Sequence, residues 1–173
     1  VLPPAIHLVV YGGNYDIYPL VDIAKSVGWK VSVVANPNKV ARSLFSVATV
    51  ISNKTGTVTF DAFSAVVLMA HDYKTDKRNF GLTIQQNAPY IGMLGPIKRS
   101  NKIFTEVQAA ENIQLTTADF KRIHAPIGLD TGAISPEEIA ISIIAEIRAY
   151  FSERSGSFLK FREGTIHERG HLF

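Results

Sequence analysis

The sequence predicts an α/β fold: a doubly wound, mainly parallel sheet with helices on both faces, in a Rossmann-like three-layer architecture. Three observations carry this prediction. Short apolar runs of strand-forming residues recur at 8–11, 30–35, 48–51, 65–69 and 90–94, with helical patterns between most of them. Parallel strands need such crossovers. The first run is followed at once by Gly12-Gly13 and then by a helical pattern over 16–27, the strand–glycine–helix order of a phosphate-binding opening. The run 65–69 is apolar without alternation, as in a strand buried on both faces.

Composition bounds the class. The chain has 173 residues, 46% hydrophobic and 19% charged, which suits one globular domain with a full core. It has no cysteine, so a disulfide scaffold, a thiolate metal site and a cysteine nucleophile are excluded within it. Its apolar runs fall far short of the roughly 20 residues of a membrane span. Val1-Leu2-Pro3-Pro4 has neither a charged n-region nor a long apolar stretch, so no secretion signal is read there. It lacks a starting Met and reads as the end of a linker. The formal net charge of +3 favours an anionic ligand, without the Lys/Arg runs of a nucleic-acid binder. A cytoplasmic chain is expected, with neither a membrane nor a nucleic-acid partner.

The elements follow in order. In 16–27, Ile17, Leu20, Val21, Ile23, Ala24 and Val27 form an apolar stripe. Asp16 suits the positive end of the helix dipole, and Gly28 is a natural helix end. Trp29 is expected to pack that end against the sheet. The second strand stops at Asn36-Pro37-Asn38, a turn signal. Residues 39–47 read as a short helix or loop, and 58–60 as a short extended piece. Thr75 or Asp76 caps a helix to about Asn87. Strand 90–94 ends at Gly95, and the following helix carries Lys98 and Arg99 in its first turn. Cations there oppose the dipole, which points to a nearby anion. Thr116 or Thr117 caps a short helix, and 124–133 is a glycine-rich loop or short strand. Ser135-Pro136-Glu137-Glu138 opens a long helix with cap, first-turn proline and capping-box glutamate. Ile139, Ile143, Ile147 and Tyr150 form its stripe to about 153. The domain is thus expected over 1–153, with about five parallel strands. Residues 154–173 form a tail that Phe158, Leu159 and Phe161 dock on it.

Candidate binding residues cluster where such sheets place ligands, beyond the carboxyl ends of the strands. Gly12, Gly13 and Asn14 read as an anion cradle or as a plain turn. Asn36 stands where a dinucleotide site keeps an acid for the ribose. His71 and Asp72 end the central strand. His71 is either a structural histidine on a loop carbonyl or a donor to a ligand. Gly95, Lys98 and Arg99 mark the next strand end, and His124 opens the late loop that Asp130 is expected to brace. His71, Asp72 and Asp76 lack zinc spacing, so no metal site is assigned. Catalytic residues are not assigned either.

Four segments carry a family resemblance: Tyr11-Gly12-Gly13-Asn14-Tyr15-Asp16 with Pro19-Leu20; Met69-Ala70-His71-Asp72-Tyr73 with Asp76; Tyr90-Ile91-Gly92-Met93-Leu94-Gly95; and His124-Ala125-Pro126-Ile127-Gly128-Leu129-Asp130-Thr131-Gly132-Ala133 with Pro136-Glu137-Glu138-Ile139-Ala140. In this order they resemble the C-terminal Rossmann-like domain of the XdhC/CoxI family, and Thr165-Ile166-His167 fits the end of that family's chains. The resemblance implies an accessory protein that binds the molybdenum cofactor, as molybdopterin or its dinucleotide form. Such proteins protect the cofactor during sulfuration and pass it to an apo molybdenum hydroxylase such as xanthine dehydrogenase. It implies a maturation factor more than a catalyst, a cysteine desulfurase as further partner, a homodimer, and a preceding N-terminal domain. The family often has Gly-Ala-Gly at the first turn and an acid then an arginine after the second strand. This chain has Gly12-Gly13-Asn14, Asn36 and Asn38. Two alternatives stand beside it: an NAD(P)-binding oxidoreductase on the same fold, which Asn36 disfavours, and a docking domain without ligand.

Overall fold

The computed structural model describes residues 4–166. Pro3 of the expected linker and His167 of the family resemblance lie outside that range. Six strands form one parallel sheet: β1 (His7–Tyr11), β2 (Lys30–Ala35), β3 (Thr49–Ser52), β4 (Ser64–Leu68), β5 (Tyr90–Met93) and β6 (Ile123–His124). Their order is β3-β2-β1-β4-β5-β6. The chain leaves the edge strand β3 and re-enters the sheet beside β1, which makes the carboxyl ends of β1 and β4 the topological switch point. Leu8 lies opposite Val31 on one side and Ala65 on the other.

Alternate residues of these strands feed two cores. Leu8, Val10, Val33, Ala65 and Val67 pack under α1 (Ile17–Ser26) and α6 (Pro136–Phe151) through Leu20, Val21, Ile143 and Ile147. Val9, Val66, Leu68 and Ile91 pack under α3 (Tyr73–Gln85) and α4 (Ile97–Glu111) through Phe80, Ile84, Ile103 and Val107. Every residue of β4 is buried, because both layers cover it. Trp29 is buried in the first core. Ser135 accepts from the Glu138 N–H while Glu138 accepts from the Ser135 N–H, with Pro136 at the first turn.

Some expectations are corrected. The sheet has six strands, not about five. The two residues of β6 pair Ile123 with Ile91 and His124 with Gly92, and two residues carry no periodicity to read. Over 39–47 only α2 (Leu44–Val47) is helical, and 58–60 holds no regular strand. The expected short helix after Thr116 is present as α5 (Thr117–Arg122), opened by a capping box between Thr116 and Asp119. The tail touches the body where the Leu129 side chain lies against Gly156, yet Phe158, Leu159 and Phe161 stay exposed. They close on themselves: the Phe161 N–H donates to the Phe158 carbonyl, and Lys160 lies over both rings. Among the described residues no helix is long and apolar enough to cross a membrane.

Candidate functional site

Two clefts open at the carboxyl end of the sheet, one on each side of the turn after β1. The first holds ≈ 380 Å³ and is lined by Gly12, Gly13, Asn14, Asn36 and Asp72, and also by Lys39, Asn53, Thr75, Arg78 and Asn79. Gly12 belongs to the frame. A Cβ on it would lie 2.5 Å from the Met69 carbonyl oxygen, and its N–H already donates to the Val34 carbonyl at 3.2 Å. The turn thus lets β1 and β4 approach, and Asn14 Nδ2 spans it to the Ala70 carbonyl at 3.4 Å.

The polar lining is cationic and amide-rich. Lys39 and Arg78 form no ion pair among the described residues. Asn79 is only 6% exposed, and its side-chain amide has no hydrogen-bond partner among the described residues. Thr75, Arg78 and Asn79 stand at i, i+3 and i+4 on one face of α3. That face was legible as spacing, but nothing in the sequence distinguishes it from a solvated stripe. Asp72 caps α3 by accepting from the Thr75 N–H at 2.9 Å. The Thr75 hydroxyl and then its N–H hold the Asp72 carboxyl below the usual range, so it stays ionised and committed to the helix. Asn36 Oδ1 accepts from the Asn38 N–H at 3.0 Å, which uses one of the two acceptor sites on that oxygen.

The second cleft, ≈ 180 Å³, lies between the starts of α1 and α6, with Tyr15, Asp16, Leu20, Met69, His71, Leu94, Ile134 and Ile139 in its walls. His71 Nε2 contacts Asp16 Oδ2, so its partner is a carboxylate and not the expected loop carbonyl. Asp16 stands at the N-cap of α1 but makes no capping bond, forgoing an interaction usually worth about 1 kcal/mol. His71 has φ +60°, in the left-handed region that few residues other than glycine enter, histidine more readily than most.

Four sequence candidates line neither cleft. Gly95 (φ +119°) turns the chain after β5, a conformation that favours glycine. Lys98 is exposed on α4. Arg99, read as a cation for an incoming anion, instead donates to the buried Asp76 carboxylate at 2.8 Å. Asp76 also accepts from the Ala70 N–H at 3.1 Å, tying α4 and α3 to the end of β4. His124 stacks on Tyr90 at 4.4 Å, and its Nδ1 lies 3.3 Å from Glu146 Oε1. Asp130 is exposed and braces nothing among the described residues.

The Tyr90 hydroxyl donates to Glu146 at 2.6 Å. Burial pushes the Glu146 carboxyl up, but bonds from His124, Tyr90 and the Gly128 backbone outweigh it and hold the group below the usual range. A depressed carboxylate stabilises the fold above its unfolded value of about 4.3, and that contribution is lost as pH falls through the folded value. Glu146→Gln is therefore expected to lower the urea midpoint at about pH 7, with the gap to wild type closing as pH falls below about 4. A gap independent of pH contradicts the assignment.

Tyr73 and Lys77 stand at the Tyr-x-x-x-Lys spacing some oxidoreductases use. Both turn to Glu106 on α4, at 2.7 and 3.3 Å, and neither lines either of these two clefts. Desolvation and then Glu106 push the Tyr73 hydroxyl up to about 12, unsuited to proton donation near neutrality. Among the described residues no group of His, Cys, Asp and Glu is placed to hold a metal ion.

The family model of the XdhC Rossmann domain matches residues 8–147. A protein of Bacillus subtilis (strain 168), named as a probable subunit of xanthine dehydrogenase, is 28% identical over 152 residues, 84% of this chain and 43% of its own length. A crystal structure described as a xanthine dehydrogenase from Bacillus halodurans superposes with a TM-score of 0.73 at 26% identity, over 87% of this chain and 45% of that one. The chain thus spans less than half the length of both relatives.

Proposed function

The chain belongs to the XdhC Rossmann-domain family, and from that premise we propose that it serves as an accessory protein in the maturation of a molybdenum hydroxylase such as xanthine dehydrogenase, holding the phosphate end of the molybdenum cofactor in the first cleft. The observation that carries the reading is the convergence of the unpaired Lys39 and Arg78 with the Asn53 and Asn79 amides on one cleft. This donor set suits an anion. The cleft's one carboxylate, Asp72, is already engaged by Thr75. Lys39 and Arg78 supply charge, and Asn53 and Asn79 supply amide donors. When bound, the cofactor supplies the molybdenum centre that the target hydroxylase uses. This chain's residues hold and shield it.

The apo hydroxylase is the partner that receives the cofactor, and a cysteine desulfurase is the source of its sulfur. A homodimer in the cytoplasm is the setting, as the family resemblance implies. Titration calorimetry with pyrophosphate tests the cleft, with NADH and NADPH as rival ligands. Pyrophosphate is expected to bind, more weakly as salt rises. Absence of pyrophosphate binding at low salt overturns the reading. Micromolar binding of NADH or NADPH would transfer it to the oxidoreductase alternative. Against that alternative, Asn36 stands where a dinucleotide site keeps an acid for the ribose.

A further inference from the structure

The second cleft is chemically unlike the first. Its walls are Leu20, Met69, Leu94 and Ile139, and its polar groups are Asp16 and His71. At ≈ 180 Å³ it is smaller than the roughly 300 Å³ at which drug-sized pockets begin. It therefore takes one ring system and not a whole cofactor. Tyr15, 76% exposed, offers a flat apolar face at its edge for a planar group.

Asp16 and His71 are arranged as an imidazole–carboxylate pair. The side chain of Asp16 is 12% exposed and that of His71 45%, so the carboxylate is sunk behind the ring. Because Nε2 meets the carboxylate, the neutral imidazole carries its proton there, and Nδ1 is left as an acceptor. Nδ1 has no partner among the described residues. The second carboxylate oxygen, Asp16 Oδ1, is buried without a hydrogen bond. Two local costs meet in this one contact: the helix forgoes its cap at Asp16, and His71 holds a left-handed backbone. Such costs persist where the surroundings impose them, and they cluster at sites of ligand binding and catalysis.

We propose that Asp16 and His71 form a proton-accepting dyad for the lactam edge of a planar fused heterocycle, a ring N–H beside a carbonyl, seated in the second cleft. The ring N–H donates to His71 Nδ1. When the proton crosses, the products are a lactam anion and an imidazolium that Asp16 stabilises, and the proton returns as the ring leaves. The turn of Gly12, Gly13 and Asn14 separates this cleft from the phosphate cleft, so one ligand can place its ring in one and its phosphate in the other. The inference rests on that reading of the first cleft. A pterin and a purine both present this edge.

The test measures the affinity of the protein for pterin and for hypoxanthine, each against its counterpart methylated on the lactam nitrogen (3-methylpterin, 1-methylhypoxanthine). Pyrophosphate binding is measured in parallel. Wild type is expected to favour at least one unmethylated ring by about tenfold or more, the size of a hydrogen bond to a group that becomes charged. His71→Asn keeps a residue that tolerates the left-handed backbone, and Asp16→Asn removes the charge behind the ring. Both are expected to abolish the discrimination while pyrophosphate still binds. Discrimination in the pterin pair identifies the ring as the cofactor's own, and in the purine pair as a substrate-type base. If pyrophosphate binds but neither pair is discriminated, or if both variants still discriminate, the dyad is overturned and the phosphate reading stands. If pyrophosphate and all four rings fail to bind, both fall.

Discussion

Arg99→Met is expected to lower the free energy of unfolding by about 3 kcal/mol, the lower end of the range for breaking a buried ion pair from one side. Asp76 is 1% exposed and has two partners, the Ala70 N–H and Arg99. Removal of the guanidinium leaves an ionised carboxylate in the interior with one hydrogen bond. The lower end applies because the Arg99 side chain is 23% exposed and keeps part of its hydration in the wild type. The double variant Asp76→Asn, Arg99→Met is expected to recover much of the loss, since a pair replaced on both sides is close to neutral. Urea denaturation with an unchanged m-value measures both. A loss below about 1 kcal/mol for the single variant would show that the pair is hydrated and marginal. The ion pair also fixes Ala70, one residue before His71, so the single variant is expected to disturb both clefts.

The double variant Lys39→Ala, Arg78→Ala is expected to weaken pyrophosphate binding about 100-fold at low salt, roughly 1.4 kcal/mol for each of the two charge-assisted hydrogen bonds removed. Both side chains are exposed at the rim, so the difference is expected to shrink as salt rises. Stability is expected to change little, because neither cation pairs with a carboxylate among the described residues. Equal affinity of the double variant and wild type would move the anion away from this cleft.

The fold was legible because its determinants are local and repeated. The run 65–69 and the Ser135–Glu138 capping box state strand and helix on their own, and helices between most of the strands point to a parallel sheet. What the sequence concealed depends on tertiary approach. β6 is too short to carry a period and exists because Gly92 and Ile91 present an edge to it. Arg99 looked free because its partner Asp76 lies on another helix. His71 and Asp16, 55 positions apart, meet only because β1 and β4 are neighbours. Gly12, Gly13, Asn14, Asn36 and Asp72 reach one cleft because parallel strands deliver their following residues to one edge of the sheet. Lys39, Arg78 and Asn79 were missed for the opposite reason: a helix face or loop cation has no signature until the strand end beside it is placed.

Retention of pterin by the purified protein decides whether this chain holds the molybdenum cofactor. The most direct measurement incubates the purified protein with molybdopterin, removes free ligand by gel filtration, denatures the protein and records pterin fluorescence after oxidation. The wild type is expected to retain pterin in proportion to protein, and the Lys39→Ala, Arg78→Ala variant much less. Denatured wild-type protein that releases no pterin, or a double variant that retains as much as wild type, would contradict this expectation.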